Sequence, residues 1–201
     1  MKAGFTEVLC VLDKSASMES VKNEAIISFN KFIAEQKKLP GEASFTLTLF
    51  DTSYKVVYAG VPIQEVAPLT EDEFNPGGMT ALLDAVGHTI DITGERLSQM
   101  PEEDRPERVI MVILTDGEEN SSREYSRKMV IDRINQQKTV YSWEFIFLAA
   151  DQDAILTGAS IGITRAFAYS SDSAGTQKAL SAVACAVEQY RVSGAVGTVI
   201  L

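Results

Sequence analysis

The chain has 201 residues, of which 45% are hydrophobic and 23% charged, and its formal net charge is −10. Such a chain is long enough to bury a full core, and its composition argues against disorder and collagen-like structure. The negative charge argues against general binding to nucleic acid or to an anionic membrane surface, both of which need a basic face, and it favours cations.

The length predicts one domain over residues 1–201. Cys10 and Cys185 both lie in apolar stretches and read as buried free thiols. No apolar run approaches the roughly 18 residues that crossing a membrane needs, and no signal-peptide segment precedes Asp13. A cytoplasmic protein without membrane association is the expectation.

Val8 to Leu12 is an unbroken apolar run, the pattern of a strand buried on both faces, and it halts at Asp13. Asp13, Ser15 and Ser17 follow on alternating positions, after which the period turns helical. Val21, Ala25, Ile26, Phe29, Phe32 and Ile33 mark one face of a helix that Pro40-Gly41 closes. Phe45–Phe50 and Lys55–Ala59 read as strands, and Asp51-Thr52-Ser53 between them suits an antiparallel hairpin. Residues 60–79 read as loop, with Thr70-x-x-Glu73 as a capping box for one short turn. Thr80 opens the next helix, with Leu82, Ala85, Val86, Ile90 and Leu97 inward.

Val109–Leu114 is a second wholly apolar strand, and it halts at Thr115-Asp116-Gly117-Glu118-Glu119-Asn120. Ser121-x-x-Glu124 reads as the cap of a helix carrying Tyr125, Met129, Val130 and Ile134, and Glu118 and Glu119 suit a helix first turn. Trp143–Ala149 is a third apolar strand with Trp143 in the core. It ends at Asp151-Gln152-Asp153, whose carboxylates read as turn or cap at least as well as rim. Ala166–Tyr169 is a small strand, Asp172 caps a last helix, and Ser193–Leu201 reads as a tail or a pairing strand. Strands that alternate with helices predict an α/β architecture: a mostly parallel sheet with one antiparallel edge strand and helices on both faces.

Three loops thus leave one sheet edge carrying oxygen: Asp13-x-Ser15-x-Ser17, Gly77-Gly78-Met79-Thr80 and Thr115-Asp116-Gly117. Open α/β sheets bind ligands at that edge. Singly, each loop has a plain structural reading, as an N-cap (Ser17, Ser20, Thr80) or a turn (Asp116-Gly117). Together they offer oxygen alone, without His or Cys, which suits a hard divalent cation and Mg²⁺ first. Two carboxylates among neutral hydroxyls leave such an ion with waters and positive charge, open to an anionic oxygen from outside. His88, the one histidine, falls about two turns along its helix and reads as a surface or core residue rather than a ligand.

The set Asp13, Ser15, Ser17, Thr80 and Asp116 resembles in full the metal-ion-dependent adhesion site of von Willebrand factor type A (VWA) domains: D-x-S-x-S, then a distant Thr, then a distant Asp. The apolar strands before Asp13 and before Thr115-Asp116-Gly117, and the helix after Thr80, agree with it. The resemblance covers residues 5–192. It implies a Rossmann-like domain with a six-stranded sheet. It further implies that Ser15, Ser17 and Thr80 bind Mg²⁺ (or Mn²⁺ or Ca²⁺) directly or nearly so, with Asp13 and Asp116 often acting through water. A protein partner would then offer an acidic side chain to the metal. The run Phe147-Leu148-Ala149-Ala150-Asp151-Gln152-Asp153-Ala154 looks like stand-alone bacterial and phage members.

The five side chains are expected on loops above the sheet, outside the core, so that removing one leaves folding intact. A Mg²⁺-dependent phosphoryl-transfer enzyme on a Rossmann-like sheet is the alternative. An aspartyl-phosphatase needs a second Asp where Ser15 stands, and no P-loop, G-x-G-x-x-G or Ser-His-Asp set is apparent. A binding module rather than an enzyme is therefore the expectation.

Overall fold

The computed structural model describes residues 1–150 and 154–196, the side chains of Ala154 and Ile155 excepted. The readings for Asp151 and Asp153 and for a pairing strand past residue 196 fall outside these residues. The strands are β1 (Lys2–Asp13), β2 (Ala43–Phe50), β3 (Tyr54–Pro62), β4 (Pro106–Thr115), β5 (Glu144–Ala150) and β6 (Ala166–Tyr169). They form one sheet in the order β3-β2-β1-β4-β5-β6. Every neighbouring pair is parallel except β2 and β3. Only Asp51-Thr52-Ser53 joins that pair, too short a link for a parallel crossover. The predicted α/β fold, a mostly parallel sheet with one antiparallel edge strand, is what forms.

The helices are α1 (Lys22–Gln36), α2 (Leu82–Gln99), α3 (Arg127–Tyr141), α4 (Ala154–Ser160) and α5 (Ser173–Ser193). The alternation of strand side chains sorts the core into two layers. Val8, Cys10 and Leu12 of β1, with Ile110, Val112 and Leu114 of β4, pack on Phe29 and Phe32 of α1 and Leu180 and Val187 of α5. Leu9, Val11, Met111 and Ile113 face the other way, onto Val86 and Ile90 of α2 and Val130 and Ile134 of α3. No helix among the described residues is long and apolar enough to cross a membrane.

Several elements differ from their sequence reading. β1 begins well before its apolar run because Glu7 is satisfied inside the sheet: the Ser44 and Thr46 hydroxyls and the Arg96 guanidinium all reach its carboxylate. After Asp13 the chain first makes a 3₁₀ turn, Ala16–Val21, and only then α1. α2 starts at Leu82, two residues beyond Thr80. α3 starts at Arg127, where Ser126 Oγ accepts the Met129 N–H at 3.3 Å. The Ser121-x-x-Glu124 cap does not form, because the backbone N–H groups of Arg123, Glu124 and Tyr125 are all held by Asp84. Cys10 is buried, but Cys185 is exposed: the inward face of α5 passes through Ala184 and Val187 and turns residue 185 outward.

Other local readings hold. Thr70 and Glu73 make reciprocal capping bonds. Asp172 Oδ1 accepts the Gly175 N–H at 2.7 Å at the start of α5, and Trp143 is buried.

The strand order reverses at β1. One crossover carries the chain to β2 on one side, and a later one returns it to β4 on the other. The loops leaving the carboxyl ends of β1 and β4 part there, which opens the crevice in which such sheets bind ligands.

Candidate metal centre

Asp13 is the last residue of β1 and is fully buried, and Ser15 and Thr80 are no more than 3% exposed. This corrects, for these three, the expectation that the set stands clear of the core; Ser17 is exposed and Asp116 half-buried. Neighbouring loops close over the strand end through their backbones: Lys14 N–H donates to Phe50 O, Ala16 N–H to Gly78 O, Gly77 N–H to Lys14 O and Ala81 N–H to Asp51 O. Gly78 is required here. Its φ is +72°, and a Cβ would fall 2.6 Å from Thr52 Oγ1. The Lys14 ammonium, flanked in sequence by Asp13 and Ser15, pairs with Asp51 and so is turned away from competing for the Asp13 carboxylate.

Each Asp13 oxygen has a protein donor. Oδ1 accepts the Ser15 N–H at 2.6 Å and Oδ2 accepts the Thr115 hydroxyl. Burial pushes the Asp13 carboxyl up to about 6; these two hydrogen bonds pull against the rise, and the Asp116 charge adds to it. Thr115 is itself fixed by the Gly117 N–H, which donates to its Oγ1 at 3.2 Å, and by the Tyr169 hydroxyl on its carbonyl. In the sequence Thr115 stands only as a member of the oxygen-bearing loop Thr115-Asp116-Gly117, with no role of its own. The available signal was a hydroxyl in β-register at the end of a wholly apolar strand.

The three segments meet. Ser17 Oγ donates to Asp116 Oδ1 at 2.6 Å, and Ser15 Oγ and Ser17 Oγ lie 3.1 Å apart. A Cβ placed on Gly117 would sit 2.9 Å from Thr80 Oγ1, 3.6 Å from Ser17 Oγ and 3.7 Å from Ser15 Oγ. All three hydroxyls therefore converge on one small space beside Gly117, which a side chain there would enter. The structure brings all five predicted residues to one place.

His88 is not among them; it stacks on the Tyr54 ring with centroids 4.3 Å apart. Among the described residues, no group of three or more His, Cys, Asp or Glu is placed to hold a metal. A cation in this space would rest on hydroxyl oxygens with Asp13 and Asp116 behind them. That donor chemistry fits a hard divalent ion and no soft one.

Solved structures share this architecture. Proximal thread matrix protein 1 from the mussel byssus, with zinc in its MIDAS motif, superposes with a TM-score of 0.62 at 13% identity, over 90% of this chain and 47% of that one. A von Willebrand factor type A protein from Catenulispora acidiphila gives 0.60 at 15%, over 91% and 42%. The fold is that of a VWA domain. The ArnB paralog VWA2 from Sulfolobus acidocaldarius matches at 0.55 and 17%, over 88% and 44%. This chain thus spans less than half the length of each of these VWA-containing proteins. No family model and no curated protein matches the sequence.

Proposed function

We propose that this VWA-type chain is a divalent-metal-dependent protein-binding module. The observation that carries the reading is the convergence of the Ser15, Ser17 and Thr80 hydroxyls on one space, with Asp13 and Asp116 bonded into its wall. Mg²⁺ is the ion that this oxygen set suits, and Mn²⁺ and Ca²⁺ share the preference for oxygen. The zinc held at the equivalent motif of the mussel protein supports a divalent ion here.

Neutral hydroxyls leave the ion most of its charge, so its chemistry is to accept a carboxylate oxygen from a partner protein. The net charge of −10 opposes an acidic partner at long range. Attraction therefore has to come from the ion, and capture is expected to depend wholly on metal.

Titration with Mn²⁺ tests this, followed by calorimetry and by water-proton relaxation. One site is expected, with enhanced relaxivity from waters still on the ion, falling when a short glutamate-containing peptide is added. Asp13→Ala and Asp116→Ala should abolish the binding. Folded wild-type protein that takes up no Mn²⁺ at millimolar concentration would defeat the reading. Hydrolysis of a nucleotide or phosphate monoester that disappears in Asp13→Ala would establish the phosphoryl-transfer alternative instead.

A further inference from the structure

Thr80 follows a stretch, Pro76-Gly77-Gly78-Met79, whose two glycines give it little conformational preference of its own. Something outside that stretch has to set where its hydroxyl points. Thr80 N–H donates to Asn120 Oδ1 at 2.9 Å, and Asn120 N–H donates back to Thr80 O at 3.1 Å. A closed ring of two hydrogen bonds therefore ties Thr80 to the loop that carries Asp116.

Glu119 extends the tie. One carboxylate oxygen accepts the Leu83 N–H of the α2 first turn at 2.9 Å, and the other accepts the N–H groups of Ser121 and Ser122. Asp84 answers from α2 by accepting the N–H groups of Arg123, Glu124 and Tyr125 at 2.8–2.9 Å. Residues 80–84 and 119–125 are stitched in both directions. A helix cap alone would explain Glu119. It does not explain Asn120, whose acceptor reaches past the helix to the amide of the candidate ligand itself.

We infer that Asn120 and Glu119 are positioning residues of the metal centre: they lock the Thr80 loop to the Asp116 loop, so that the Thr80 hydroxyl and the Asp116 carboxylate move as one body. The relevance to metal rests on the reading given above; the lock itself is a property of the metal-free chain. Groups that orient ligands in this way typically govern affinity by about 10–100-fold when removed.

Asn120→Ala and Glu119→Gln test the lock against Gln36→Ala. Gln36 ties α1 to α5 through Ala184 O and Arg191, remote from this loop pair, and its loss also costs stability. Free Mn²⁺ is followed by electron paramagnetic resonance, and the Thr80 and Leu83 amides by hydrogen exchange in chelator. Asn120→Ala is expected to weaken Mn²⁺ about tenfold and to lose Thr80 protection. Gln36→Ala should lower the melting temperature and leave both readings as in wild type. Asn120→Asp keeps the acceptor and should restore Thr80 protection.

Wild-type Mn²⁺ affinity in both Asn120→Ala and Glu119→Gln would overturn the inference, and so would unchanged exchange at Thr80 and Leu83. If wild type itself takes up no Mn²⁺, the metal reading fails. The exchange arm then decides the lock alone.

Discussion

Ser17 and Asp116 stand 99 positions apart in the chain, yet the Ser17 hydroxyl donates to Asp116 Oδ1 at 2.6 Å. The bond closes the crevice between the loop after β1 and the loop after β4, which the strand order otherwise leaves open. It lies at the site rim rather than in either core layer, so removing it should cost only about 1 kcal/mol, or about 2–4 °C of melting temperature. Ser17→Ala is therefore expected to melt cooperatively in chelator, close to wild type. In Mg²⁺ the wild type should gain stability by mass action, and Asp116→Ala should gain none. Differential scanning fluorimetry with and without Mg²⁺ reads both outcomes.

Gly117→Ala should separate folding from metal more sharply. The added Cβ lands 2.9 Å from Thr80 Oγ1 and within van der Waals reach of both serine hydroxyls, in the space where they converge. Thr80 must give way, and the nearest atoms met are hydroxyl oxygens rather than core side chains. The expected result is a native circular dichroism spectrum with Mn²⁺ affinity reduced at least about tenfold. Calorimetry showing wild-type affinity would mean that an ion, if bound, sits elsewhere.

The sheet was legible in the sequence because its signals are short-range, whereas the meeting of Asp13, Ser15, Ser17, Thr80 and Asp116 was legible only through a resemblance whose motif spans three separated segments. An apolar run that stops at Asp13 or Thr115 marks a buried strand and its carboxyl end wherever it occurs. The hydrogen-bond partners around the ligands were not legible. Glu119, with Glu118, suits a helix first turn and Asn120 carries no signal of its own, and nothing local announces that Glu119 and Asn120 instead serve Leu83 and Thr80, about forty positions upstream. The same holds for Ser121-x-x-Glu124, a capping pattern overridden because Asp84 had taken the backbone N–H groups. Burial of Asp13 was missed because a polar residue after an apolar run looks like the start of a loop, whereas Thr115 and Ser15 satisfy it inside the sheet.

Midway along β1 a second buried carboxylate provides the control. Glu7 is fully buried and is reached by Ser44, Thr46 and Arg96, the last at 2.8 Å. Arg96→Ala would leave that charge in the sheet with hydroxyls alone. Breaking a buried pair in this way costs roughly 3–5 kcal/mol, and the lower end applies because the Arg96 side chain is 29% exposed. Urea denaturation should show that loss, and Glu7→Gln in the same background should recover part of it. Metal affinity of the folded fraction should not change, since nothing in this cluster touches the five candidate ligands.

Asp13 should behave in the opposite sense, and pH reveals why. Burial raises its carboxyl from the ordinary 3.8 to about 6 in the folded protein. Between those values the folded chain holds a proton that the unfolded chain has released. Stability of the metal-free protein therefore falls as pH rises from about 4 through about 6 and stays lower above that. A shift of this size corresponds to roughly 3 kcal/mol, to which the neighbouring Asp116 charge contributes only in part. Asp13→Asn removes the ionisation and keeps the geometry. Its carbonyl can accept the Ser15 N–H, its amide can donate to Thr115 Oγ1, and the Thr115 hydroxyl can turn to Gly117 O at 3.1 Å. In chelator the variant should melt above wild type at pH 7–8, with the gap closing toward pH 4. In saturating Mg²⁺ the order should reverse at neutral pH, because the ion stabilises the ionised wild-type carboxylate and finds no charge in the variant. A variant that melts below wild type at pH 7 in chelator would show that the Asp13 carboxylate serves the fold itself rather than a cation.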